Sequence, residues 1–206
     1  MEIQSRIDGK QIVVNLQQNT AYGLMMSGGL DSAVLLYLML KDCPTASIQP
    51  FYIAKHDGSY AYIDGIIEYV NLLFNIRLPE PIKVGSPDIH HTQINQTGIR
   101  HVLLKYPEIE KLFIGINQNP PQPWGDPKWE FPNRPISNSN PRIEMPFMML
   151  YKTHIVDLVD QFEIQALANL THTCTEQVTG RCLKCFQCNE RMWAYQTLGL
   201  TDYGKL

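Results

Sequence analysis

The sequence carries few charges for its size and no excess of one sign. Of its 206 residues, 18% are Asp, Glu, Lys or Arg, below the roughly 25% of an average soluble chain. Seventeen basic residues against twenty acidic ones leave a net charge of −3, with no Lys/Arg-rich tract. That argues against a protein that lives on phosphate backbones, although a small basic patch is still compatible with it. Any apolar run approaching about 18 residues is also missing, so no transmembrane helix is expected. The opening Met-Glu-Ile-Gln-Ser-Arg lacks the basic and apolar regions of a secretory leader, and a cytoplasmic protein is expected. There is no internal repeat, and 13 Gly and 14 Pro are near average, which excludes a linker or collagen-like chain. What is present is 44% apolar residues, enough to build one ordinary core with a small appendage.

Apolar patterning divides the chain into alternating strands and helices. Ile3 to Leu16 alternates around Asp8-Gly9, a hairpin signal. Strands are predicted over Tyr22–Met26, Gln49–Ile53, Pro81–Val84, Leu112–Ile116 and Ile143–Met145, and helices over Asp31–Lys41, Tyr60–Phe74, Thr97–Lys105, Lys152–Phe162 and Arg191–Leu198. This order predicts an α/β fold with a largely parallel sheet, whose ligands bind beyond the carboxyl ends of the strands. Residues 117–142 hold seven of the prolines and two of the three tryptophans, and are predicted to form a long irregular loop. Three units follow: a hairpin extension at 1–20, an α/β unit at 21–170, and a cysteine-bearing segment with a closing helix at 171–206.

Ser27-Gly28-Gly29-Leu30-Asp31-Ser32 lies between a predicted strand and a predicted helix. Two glycines permit a tight turn and close approach of a ligand to the backbone. The free N–H groups of the first helical turn suit an anion, and Asp31 suits a Mg²⁺ ion accompanying it. The plain alternative is that Asp31 or Ser32 only caps the helix.

Cys174, Cys182, Cys185 and Cys188 fall within fifteen residues. In a reducing compartment such crowding points to a metal rather than to disulfides. Four thiolates suit a closed tetrahedral Zn²⁺ site of structural type, with Arg181 and Lys184 available to offset its charge. The alternatives are an iron–sulfur cluster, a set in which His172 replaces one thiolate, and cysteines that are merely buried.

Ser-Gly-Gly-x-Asp-Ser after the first strand resembles the pyrophosphate loop (PP-loop) of the N-type ATP pyrophosphatases. Together with the cysteines it resembles the 7-cyano-7-deazaguanine synthase (QueC-type) family. Phe113-Ile114-Gly115-Ile116-Asn117 is similar to that family's Val-Gly-Val-Asn strand end. Ile143 to Pro146 with Leu150 to Val156 is similar to its strand-Thr-Pro-Leu and Leu-Thr-Lys-Ala-Glu-Ile-Val segment, and Cys174 to Asp202 to its cysteine segment and closing helix. The resemblance spans about residues 22–203. The loops at 55–60 and 117–135 depart from the family's acceptor loops.

The resemblance implies an ATP-dependent carbon–nitrogen ligase that converts 7-carboxy-7-deazaguanine and ammonia to 7-cyano-7-deazaguanine. It implies that Ser27, Gly28, Gly29, Leu30, Asp31 and Ser32 hold ATP, that Asp31 and Lys152 serve catalysis with Mg²⁺, and that Asn117 and Arg134 meet the acceptor. It also implies a structural zinc on the four cysteines, and a homodimer as one available assembly. Other readings are a PP-loop enzyme with another acceptor, such as a tRNA thiolase, and a nucleotide-binding module without catalysis. Arg142 is a second candidate for the acceptor carboxylate. Trp124, Trp129 and Phe131 suit either stacking on a purine-like ring or pinning the loop to the body. His90 and His91 read as a solvated pair, and Met25-Met26 and Met148-Met149 as core fillers.

Overall fold

Side chains alternate across a strand, so a strand buried on both faces must feed two cores. The segment Ala21–Met26 does this. Tyr22, Leu24 and Met26 enter one apolar cluster, while Ala21 and Met25 pack against another. It is the central strand of a five-stranded sheet in the computed structural model, which describes residues 1–86, 91–125, 134, 138–202 and 204, with 91–94 described by their backbone alone.

The strands are β1 Glu2–Gln4, β2 Gln11–Val13, β3 Ala21–Met26, β4 Ser47–Tyr52, β5 Ile82–Lys83, β6 Lys111–Ile114 and β7 Ile143–Glu144. β1 and β2 form a separate antiparallel hairpin. The main sheet runs β5-β4-β3-β6-β7, and each neighbouring pair is parallel. The order reverses direction between β3 and β6, which opens a crevice at their carboxyl ends.

The helices are α1 Leu30–Asp42, α2 Ile63–Phe74, α3 His91–Lys105, α4 Lys152–Gln161, α5 Gln165–Asn169 and α6 Phe186–Thr197. α1 is apolar all round, and every residue from Ala33 to Leu40 is buried, as expected of a helix enclosed on all sides. It lies between β3 and helices α4 and α5. Phe51, Ile53, Leu112 and Ile114 face the other way and pack with Val102 of α3. The sheet is therefore sandwiched between helical layers. No helix among the described residues is long and apolar enough to cross a membrane.

The hairpin joins the main core through Ile3, Ile12 and Val14. Arg6 Nε and Nη2 reach Asp157 and Asp160 of α4 at 2.7 Å each. Asp8 meets His154 Nε2 at 3.1 Å. The hairpin thus braces the helix that begins with Lys152.

Some boundaries differ from expectation. α3 starts at His91 rather than Thr97, because its first turns are polar and carry no apolar period. α6 starts at Phe186 rather than Arg191, because Cys185 is its N-cap and its sulfur accepts the Cys188 N–H. Residues 60–62 belong to a 3₁₀ turn spanning Ser59–Tyr62 that precedes α2. α5 has only five residues, too few to reveal a period. The methionine pairs are not uniformly core: Met149 is 58% exposed.

Candidate active site

The crevice between β3 and β6 is where the sequence-predicted residues meet. Gly28 has φ +76°, and an ideal Cβ there would lie 1.9 Å from the Ser59 carbonyl oxygen, so a side chain cannot be accommodated. Ser27 and Ser32 staple the loop. Their hydroxyls are 3.1 Å apart, Ser32 Oγ accepts the Ser27 N–H, and Ser27 Oγ accepts the Gly29 N–H. Gly29 is the N-cap of α1 and offers it no side-chain hydrogen bond. The N–H groups of Leu30, Asp31 and Ser32 therefore lack helical acceptors, and the positive end of the dipole points at the crevice. The capping role considered for Asp31 or Ser32 is not the observed geometry.

β6 approaches this turn closely. An ideal Cβ on Gly115 would lie 3.0 Å from Asp31 C and Ser32 N. Two residues on, Asn117 is buried, and its Nδ2 has no hydrogen-bond partner among the described residues. A buried donor without an acceptor costs about 1–3 kcal/mol, a cost that a bound acceptor atom would remove.

Lys152 is the first residue of α4 and is 5% exposed, so it is not a solvated surface lysine. A cation at a helix N-terminus opposes the dipole and needs an anion nearby. Asp31 supplies it: Lys152 Nζ donates to both carboxylate oxygens at 2.6 and 2.5 Å. Glu190 Oε2 lies 3.8 Å from the same nitrogen. Glu190, on α6, also accepts both guanidinium nitrogens of Arg134 at 2.6 and 3.0 Å. Asp31, Lys152, Glu190 and Arg134 thus form one alternating chain of charges. No sequence feature marked Glu190, because its role exists only where the loop, α4 and α6 converge.

Asp31 and Arg134 of this chain of charges line a cavity of about 300 Å³. Ser27, Asp31, Ser32, Asn117 and Arg134 line its polar side, and Met25, Ile53, Ile99, Ile114 and Ile116 its apolar side. Lys55, which follows β4, lines it as well. Burial lowers the Lys55 ammonium below its usual value, and Asp57 offsets this only in part. Arg142, the other arginine considered for the acceptor, spends its guanidinium on the carbonyls of Leu103, Tyr106 and Ile109. Trp124 packs edge-on against Phe186 at 5.4 Å and tilted on Trp193 at 5.8 Å, which pins its loop to α6. Trp129, Phe131, His90 and the side chain of His91 lie outside the described residues.

The four cysteine sulfurs lie within 4.8 Å of one another, and none is in a disulfide. The donor set fits a soft metal ion. Backbone N–H groups of Lys184 and Cys185 point at Cys182 Sγ at 3.4 and 3.2 Å, and the Cys188 N–H points at Cys185 Sγ at 3.4 Å. Such donors stabilise thiolates. Burial pushes the Cys182 thiol up, but these N–H groups with the Cys174 and Cys185 thiols outweigh it and bring it down to about 7. Burial dominates at Cys188 and raises its thiol. Arg181 is engaged by Asp202 at 2.5 Å. His172 stands apart from the sulfurs: its ring stacks on Tyr62 at 4.6 Å, and its Nε2 meets the Gln177 carbonyl at 2.8 Å. Its backbone N–H donates to the Gly28 carbonyl at 2.9 Å, tying the cysteine segment to the glycine loop.

Comparison with known proteins gives a family. The profile of queuosine biosynthesis protein QueC matches residues 94–199, just over half of the chain. No curated protein sequence matches significantly. Among solved structures, the U34-tRNA thiolase NcsA from Methanococcus maripaludis, which carries a [4Fe-4S] cluster, is similar with a TM-score of 0.46 and 15% identity. The match covers 72% of this chain and 59% of the thiolase. The NMN synthetase from Francisella tularensis is similar with a TM-score of 0.46 and 13% identity, over 88% of this chain and 73% of the synthetase.

Proposed function

Because the chain belongs to the family of queuosine biosynthesis protein QueC, we propose that it is an ATP-dependent carbon–nitrogen ligase making 7-cyano-7-deazaguanine from 7-carboxy-7-deazaguanine and ammonia. The observation that carries this reading is the convergence, at the sheet's reversal point, of an uncapped helix N-terminus, the Asp31–Lys152 pair and the unpartnered Asn117 amide. In this reading residues 21–170 bind ATP, 1–20 brace α4, and 171–206 form the metal-binding segment with its closing helix.

The chemistry proceeds in two activations. The acceptor carboxylate attacks the α-phosphorus of ATP, and pyrophosphate leaves. Ammonia displaces AMP from the acyl adenylate and gives the amide. The amide oxygen attacks a second ATP, again releasing pyrophosphate. Loss of AMP and a proton from the adenylated amide leaves the nitrile.

The protein's part is positioning and charge neutralisation. The N–H groups from Ser27 to Ser32 hold the departing phosphates, and the turn at Gly28 and Gly29 lets them approach. Asp31 would hold the Mg²⁺ that accompanies ATP, and the ion would neutralise phosphate charge. Lys152, kept beside the cleft by Asp31 and Glu190, presents its ammonium to phosphate oxygens. Asn117 donates to the acceptor, and Arg134, held by Glu190, closes the acceptor end.

Cys174, Cys182, Cys185 and Cys188 hold a zinc ion that supplies structure rather than chemistry. Metal–sulfur bonds of about 2.3 Å place tetrahedral thiolates roughly 3.8 Å apart. Sulfurs gathered within 4.8 Å favour that single ion over a cluster, whose several irons spread their ligands more widely.

The test is incubation of the zinc-loaded protein with ATP, Mg²⁺, ammonium and 7-carboxy-7-deazaguanine, with masses read for the nucleobase. The nitrile is the expected product, and the Asp31→Asn variant loses its formation while still folding. Unchanged acceptor beside a folded, metal-loaded protein contradicts this reading.

A further inference from the structure

The described cations at the cavity and beside it are unequally occupied. Lys152 is committed to Asp31, and Arg134 to Glu190 and the Gln118 carbonyl. Lys55 lines the same cavity, and among the described residues its ammonium has neither a hydrogen bond nor an ion pair. Asp57 acts on this ammonium only through space and offsets its burial only in part, so the lysine is costly to keep and sits below its ordinary pKa. Its backbone is fixed by a turn in which the Lys55 N–H donates to the Ile53 carbonyl and its own carbonyl accepts from Gly58. Gly58 has φ +69°, a conformation that suits glycine. The same cavity is lined by the apolar side chains of Met25, Ile99 and Ile116 and by the buried Asn117, whose amide nitrogen is unpartnered among the described residues. Such a cavity combines an apolar lining, one orphan amide donor and one cation with no direct partner. It suits a planar heteroaromatic ring that bears an anionic oxygen group.

We propose that Lys55 is the substrate-reading cation of this site and pairs with an anionic oxygen of the bound substrate, either the acceptor's carboxylate or a nucleotide phosphate. This assignment rests on the ligase reading above and adds to it the residue that receives the charge. Lys55 lies in the 55–60 loop, where the sequence departs from the family's pattern, so the charge is read here by a residue of this chain's own. An incoming anion replaces the water that Lys55 has lost, and the pair gains strength from the low-dielectric wall.

The test uses four ligands in matched pairs, titrated calorimetrically into the full chain: ATP against adenosine, and 7-carboxy-7-deazaguanine against 7-deazaguanine. The variants are Lys55→Met, Lys55→Gln and Lys55→Arg. Thermal midpoints no lower than that of the parent establish that the variants fold. The expected result is that Lys55→Met and Lys55→Gln weaken one charged ligand about tenfold or more, leave its neutral counterpart unchanged, and that Lys55→Arg restores part of the loss. Selective weakening of the carboxylated base assigns the acceptor as the source of the anion, and selective weakening of ATP assigns a phosphate. Charged ligands that bind the Met variant as tightly as the parent overturn the assignment while the ligase reading stands. A parent chain that binds none of the four overturns both.

Discussion

The glycine-loop cleft and the four-cysteine segment meet at the same helices but are held by different physics. The cleft is fixed from below by a parallel sheet and by α1, whose central residues are wholly buried. The cysteine segment has almost no apolar residues of its own, and its small cluster consists of the cysteines themselves. Its order is therefore proposed to come from the metal, whose binding energy becomes folding energy. Among the contacts that join the two regions are the His172 N–H on the Gly28 carbonyl, the Tyr62 hydroxyl on the Val178 carbonyl, and Glu190 between Lys152 and Arg134. The helix that closes the cysteine segment thus supplies, through Glu190, the charge that holds Arg134 and Lys152 beside the cleft.

The largest expected effect breaks the metal side. Cys185→Ser removes a thiolate and the N-cap sulfur of α6. Structural zinc contributes on the order of 10 kcal/mol in small domains. Here α6 also packs into the main core through Ala194 and Tyr195, so a partial loss of several kcal/mol is expected. Metal analysis and thermal unfolding, with and without chelator, read it. A metal-free variant with an unchanged melting temperature contradicts the contrast drawn above.

Next comes the joint. Glu190→Gln leaves Arg134 and Lys152 without a shared counter-charge in a buried setting. Breaking a buried ion pair costs about 3 kcal/mol or more, read as a lowered denaturant midpoint with the cysteine site still loaded. Unaltered stability means that the charges are not coupled as described.

The smallest effect lies on the far side of α4, where the hairpin braces the helix. Burial opposes it, but hydrogen bonds from Lys10 and His154 outweigh that and lower the Asp8 carboxyl from 3.8 to about 2. A carboxylate depressed in the folded state adds stability that is complete above its unfolded pKa and is lost as pH falls through the folded value. Asp8→Asn therefore removes this contribution above about pH 4, a small loss because the group is half-solvated, and flattens the stability profile between about pH 4 and pH 2. An acid limb identical to the parent's shows that the hairpin contact contributes nothing.

Much of the fold was legible in the sequence. Alternating strands and helices gave the parallel sheet, and Asp8-Gly9 gave the hairpin. Elements escaped where the local signal was weak. The polar first turns of α3 have no apolar face, α5 is too short for a period, and the start of α6 looked like metal spacing because its N-cap is a cysteine. The candidate site divides in the same way. Gly28 and Gly29 are legible because a backbone turn imposes a residue type at a fixed offset. Glu190 and Lys55 are not, because an isolated Glu or Lys reads as surface until packing strips its water and sets its neighbours. Arg134 was read as an acceptor ligand, and its pairing with Glu190 depends on a contact 56 residues away in sequence.

The proposed reaction requires that the cleft cleave ATP between its α and β phosphates, with the helix N-terminus, Asp31 and Lys152 gathered on the leaving pyrophosphate. Phosphorus NMR of ATP turned over with 7-carboxy-7-deazaguanine and ammonium tests it directly. AMP and pyrophosphate, formed only when the acceptor is present, are the predicted products. ADP with inorganic phosphate contradicts the claim.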